Sequence, residues 1–121
     1  MTPVAIVFAV LVSVAIAVIG LRFLVVPDAA TRAFGVRPDD ARALTAIKGV
    51  RDITSGVVLM VVWAVAGVPA LGWALIAASI TPWGDMGIVL ARGGSRTAAF
   101  GIHALTAALL VVAGAVLVVS G

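Results

Sequence analysis

Five ionisable side chains, Lys48, Arg51, Asp52, Asp85 and His103, fall at spacings that would let them act on one molecule. In "KGVRDITSG", Lys48, Arg51, Asp52 and Ser55 stand at i, i+3, i+4 and i+7, which is one face of a helix. In "ITPWGDMGIVLARGG", Thr81, Asp85 and Arg92 share a face by the same spacing, as do Arg96, His103 and Thr106 in the next stretch. Two carboxylates with a histidine and cations beside them offer general acid–base chemistry. Burial raises one carboxyl pKa and a cationic neighbour lowers the other, so one group gives a proton while the other takes one. Ser55, Thr81, Trp83 and Thr106 are the expected substrate-binding neighbours. With one His, no Cys and no Glu, neither a metal nor another cofactor is expected.

Depth along each helix is consistent with a shared site. Asp85 precedes Arg92 by seven residues and His103 follows Arg96 by seven, so each lies about 10 Å inward from a basic rim. Asp52 lies about 15 Å past Arg42 if the helix is continuous. A lone charge near the centre of a membrane helix costs roughly 2.5–3.5 kcal/mol, against about −0.3 to −0.6 for each Leu, Ile, Phe or Val. These residues are therefore expected to face one another inside a bundle. Pro82 denies Ala78 its backbone bond one turn before Asp85, and beside Gly84 and Gly87 it is expected to open a pocket. The competing reading is an ion-pair network that fixes helix register without turnover.

The elements that must hold these residues are membrane helices. Hydrophobic residues make up 64% of the 121 and charged ones 11%, with mean hydropathy +1.30. A soluble domain carries about 25% charged residues. The basic excess does not indicate nucleic acid, because no polar surface exists to carry a basic groove. One all-α domain of four spans is expected, at about 2–24, 40–66, 71–91 and 97–119, with segment 25–39 on the cytoplasmic side. A cleaved signal peptide is the rival for the first run, but no basic residue precedes it. Asp28 is expected to cap a short turn ending at Gly35, Asp39 or Asp40 to cap the second span, and Ser95 the fourth. "GVPA" (67–70) is the expected turn between the second and third spans. Gly101, Ala104 and Ala108 are expected at close helix contacts.

Arg22, Arg32, Arg37, Arg42, Lys48, Arg51, Arg92 and Arg96 all fall at one end of such a bundle, while the other end holds both termini and "GVPA". The positive-inside rule then puts the charged end in the cytoplasm and both termini on the non-cytoplasmic side. The expected location is a bacterial inner (plasma) membrane, crossed several times.

At "KGVRDITSG", "ITPWGDMGIVLARGG" and "AAFGIHALTAAL" the chain resembles a family of small four-span bacterial and fungal membrane proteins, domain of unknown function 4267. The resemblance covers nearly the whole chain, and its motifs carry Lys48, Arg51, Asp52, Asp85 and His103. Through some fungal relatives it implies epoxide-opening steps in polyketide pathways. An arginine held between two aspartates resembles soluble limonene-type epoxide hydrolases in chemistry, not in fold. The implied roles are Asp85 as base oriented by His103, Asp52 as acid, Arg51 as bridge and Lys48 tuning Asp52. Acid and base can be exchanged without conflict with the sequence. The expected partners are a lipophilic small molecule and the lipid bilayer, and a homo-oligomer is compatible with the reading. A small proton-coupled transporter and a non-catalytic lipid-binding scaffold are the alternatives. Transporters of that size usually rely on one carboxylate free to exchange protons, whereas both acids here have cationic company.

Overall fold

A long run of Val, Ile, Ala and Leu with Pro only at its start forms α1, Thr2–Val25. The computed structural model describes residues 2–121, and every regular element in it is helical. After α1 come α2 (Pro27–Phe34), α3 (Ala41–Ala78), α4 (Ile80–Ala91), α5 (Arg96–Ala98), a π-helical segment (Ala99–Ala104) and α6 (Leu105–Ser120). The chain divides into two compact units, one ending at Val50 and one covering Arg51–Gly121.

In the first unit, Pro27 occupies the first turn of α2, where its missing N–H is no loss. Val26 is the N-cap and makes no side-chain bond, so Asp28 sits within the first turn and does not cap it, contrary to expectation. The helix ends at Gly35 (φ 105°) as expected. The Gly35 N–H donates to the Arg32 carbonyl at 3.0 Å and the Val36 N–H to that of Thr31 at 3.2 Å, a Schellman closure. Phe34 meets Phe23 of α1 edge to face, with ring centroids 6.2 Å apart. Asp40 caps α3, its Oδ1 accepting from the Ala43 N–H at 3.0 Å.

The second unit is built on a break and a close crossing. Gly67 interrupts α3 with φ 85° and ψ −172°, a conformation essentially restricted to glycine. Among the described residues, three stretches are long and apolar enough to cross a membrane: Thr2–Val25, Ala41–Ala91 and Arg96–Ser120. The middle one, 51 residues, holds the second and third expected spans, so the four-span count is met only in part. Gly67→Ala should lower stability by about 1–3 kcal/mol in thermal unfolding of the purified protein. Gly20→Ala, whose new Cβ meets no atom within 4 Å, should be neutral or slightly stabilising. Equal melting temperatures for the two variants would contradict the strain argument.

The third expected span is itself divided. Pro82 is buried, and α4 begins only after Ser79, a buried residue whose hydroxyl donates to the Ile76 carbonyl at 2.6 Å. At the far end Gly93 (φ 68°) and Gly94 close α4, the Gly94 N–H donating to the Val89 carbonyl at 2.8 Å. Ser95 then caps the next helix as expected, accepting from the Ala98 N–H at 3.1 Å. The chain turns back here, and α4 packs against the π segment and α6.

Beyond Gly67, α3 crosses α6 at Gly72 and Gly114. A Cβ on Gly72 would lie 2.7 Å from the Gly114 carbonyl oxygen, and one on Gly114 would lie 2.6 Å from that of Gly72. Among the described residues the buried apolar side chains other than Pro82 are alanines, Ala30, Ala99 and Ala107, while Val65, Ile80 and Ile53 are among many exposed large side chains. That inversion fits lipid as solvent. Helices there gain nothing by burying Leu against Leu, and associate where small residues let backbones touch. The chain is a membrane protein.

Candidate functional site

The polar face of α3 is regular, since Lys48, Arg51, Asp52 and Ser55 precede the break at Gly67. Its burial is not as expected: all four are exposed. The cause lies in where close packing occurs. Gly72 is the buried residue of α3, so the helix makes its tight crossing after Gly67 and leaves its earlier turns outside it. Long basic side chains near a helix end can also carry their charge toward the interface while their stems stay in apolar surroundings.

Asp52 heads a groove. An open cavity of about 940 Å³ is walled by α3 from Asp52 to Ala64 and, beyond the break, by Leu71 and Leu75. Asp52 is the charged group in a lining that is otherwise apolar, with Trp63 toward the other end. The distance along α3 from Asp52 to Trp63 is on the order of 16 Å. Ser55 sits one turn after Arg51, and its hydroxyl donates to the Arg51 carbonyl at 3.0 Å.

Asp85 and His103 lie on elements that pack together, α4 and the π segment, and both are half-buried. Neither side chain has a hydrogen bond or ion pair among the described residues, so Asp85 is not oriented by direct contact with His103. Gly84, Gly87 and Gly101 beside them are exposed, and a Cβ on any of the three would meet no atom within 4 Å. Gly101 is therefore not a close-contact glycine; Ala108 is exposed and Ala104 half-buried. Thr81 and Trp83 are exposed, Trp83 to 41%. The Thr106 hydroxyl donates to the Ile102 carbonyl at 2.6 Å.

The π segment changes which residues share a face. The Leu105 N–H donates to the Phe100 carbonyl, one residue further back than in an α-helix. One extra residue in a turn rotates the remainder of the helix by about 100°. Arg96 and His103 stand on opposite sides of part of this segment, so their seven-residue spacing no longer puts them in line. Sequence periodicity assumes 3.6 residues per turn and could not have found it. The Gly72–Gly114 crossing was also missed, although both glycines sit among small residues in "AGVPALGWA" and "VVAGAV".

A family model described as a domain of unknown function (DUF4267) matches residues 13–117. No curated protein and no solved structure gives a match.

Proposed function

The chain belongs to the family of that domain of unknown function, and from this premise we propose that it opens epoxides of lipophilic substrates by general acid–base catalysis. The observation that carries the reading is Asp52 at the head of an apolar groove, which suits a lipophilic molecule presenting its reactive end to a carboxyl group. Asp85 takes a proton from water, or from a hydroxyl within the substrate, as that oxygen attacks an epoxide carbon. The carbon–oxygen bond of the ring breaks, and Asp52 delivers its proton to the departing oxygen. The product is a diol or a cyclic ether, and return of the proton from Asp85 to Asp52 restores the site. Arg51 bridges the carboxylates, Lys48 tunes Asp52, and His103, on the π segment packed against α4, acts on Asp85 through water or substrate rather than by direct contact. Ser55, Thr81, Trp83 and Thr106 hold the substrate. The two aspartates can exchange roles without changing the balance of the reaction.

Purified protein incubated with a long-chain terminal epoxide should yield the diol, detected by mass spectrometry with incorporation of oxygen from labelled water. Protein that binds the epoxide but returns it unchanged would support the second reading, a non-catalytic lipophile-binding scaffold. One observation favours that scaffold: the groove carries a single carboxylate, and acid–base opening needs two at one molecule.

The same proposal includes orientation. Both termini lie outside a bacterial inner membrane and the "RGGSR" turn (92–96) faces the cytoplasm. Reporter fusions at Gly121 and between Gly93 and Gly94 should report opposite sides, with cytoplasmic activity only from the turn. Cytoplasmic activity at Gly121 would reverse the assignment.

A further inference from the structure

The connection between α1 and α3 carries a charged cavity that epoxide chemistry does not use. It has a volume of about 770 Å³ and is lined by Asp28, Arg32, Arg37 and Asp39, with Gly35, Val36 and Pro38 between them. Asp28 and Arg32 stand four residues apart on α2 with the acid first, the order in which helical pairs form most readily. Their side chains nonetheless make no hydrogen bond or ion pair among the described residues, whereas Arg37 reaches Asp39 at 3.1 Å. The cavity lies between their charges and can admit a third group.

Its depth says which group. α1 ends at Val25 and the next long apolar helix begins at Ala41, so the connection lies at a membrane–water boundary, where lipid headgroups are. α2 is fixed there by buried Ala30 and Thr31 and by the Phe34–Phe23 contact, while Asp28 and Arg32 stay exposed. A short helix with one apolar face and one charged face is suited to lying in that plane.

We propose that this cavity seats the headgroup of a zwitterionic phospholipid bearing a primary ammonium, its phosphate on Arg32 and its ammonium on Asp28. The planar guanidinium fork matches phosphate oxygens, and an ammonium donates hydrogen bonds to a carboxylate. The lining itself is balanced, two arginines against two aspartates. An anionic headgroup would set its charge against Asp28, and a choline nitrogen has no proton to donate.

The test is native mass spectrometry of the full chain in detergent. It is titrated with short-chain phosphatidylethanolamine, phosphatidylcholine and phosphatidylglycerol, and with soluble glycerophosphoethanolamine. Phosphatidylethanolamine should bind at about fivefold lower concentration than either other lipid, the size expected of one exposed charge contact. Asp28→Asn should erase the difference between the ethanolamine and choline lipids, and Arg32→Gln should weaken all three. Equal binding of those two lipids to the wild type would overturn the proposal, a comparison that needs no variant to fold. Tighter phosphatidylglycerol would identify an anion site instead. Glycerophosphoethanolamine binding as tightly as the lipid would identify a site for a soluble phosphate ester, and an Asp28→Asn protein that keeps the preference would remove Asp28 from it.

Discussion

Gly114→Leu should unfold the α3–α6 crossing and lower stability by about 3 kcal/mol or more. Inserting extra methylenes into a packed contact typically costs about 1–3 kcal/mol when neighbouring side chains can adjust. Here the first atom met is a backbone oxygen, with Ile76 Cγ1 at 2.7 Å and the Ile76 nitrogen at 3.2 Å from the new Cβ. Backbone cannot rotate aside, so the helices must separate, and Gly72 loses its partner with them. Ala108→Leu on the exposed side of α6 is the comparison, and should fall within about 0.5 kcal/mol of the parent. Thermal unfolding in detergent, followed by helical circular dichroism, reads both. A Gly114→Leu protein as stable as Ala108→Leu would mean that the two backbones do not touch.

Asp52→Asn and Asp85→Asn should each reduce epoxide opening by about 10²–10⁴-fold, the usual contribution of a positioned acid or base. Asparagine keeps the shape of aspartate but can neither take nor give the required proton. Position makes the two substitutions informative in different ways. Asp52 is exposed at the groove's head, and turnover lost there with the melting temperature kept reports chemistry. Asp85 is half-buried on α4, so its variant needs stability measured beside turnover. Stable variants that bind the epoxide without opening it would support catalysis. Stable variants with undiminished turnover would end the proposal, and joint loss of fold and activity at Asp85 alone would return that residue to a structural role.

What could be read in the sequence was local. Gly35, Asp40 and Ser95 each act through a bond or a dihedral within a few residues, and each was legible by type and position. Gly67 was legible as the start of "GVPA", though not that it alone leaves helical geometry. The facing of Lys48, Arg51 and Asp52 followed from periodicity, but their burial did not. Periodicity says which residues share a side, and only the partner helix decides whether that side is covered. The energetic case for burial treated each charge as fixed at its Cα, whereas long side chains near a helix end can reach outward. His103 was placed on its helix by assuming an unbroken α-helical turn, which the π segment interrupts.

The break at Gly67 bears on how the chain enters a membrane at all. From Ile53 to Gly84 there is no Asp, Glu, Lys or Arg, and Gly67 lies near the middle of that stretch. Were the two arms to insert as a hairpin, its leading tip would be "GVPA", which carries no charge to take through hydrocarbon. The arms are on the order of 35–40 Å each, longer than the roughly 30 Å apolar layer, so both can reach across together. A charge placed at the tip, as in Ala70→Arg, would have to cross with it, at a cost of roughly 2.5–3.5 kcal/mol at the midplane on the insertion scale. The glycine beside the groove is also the point at which an otherwise uncharged helical stretch leaves helical geometry, and entry as a hairpin would require the charge-free tip that "GVPA" provides.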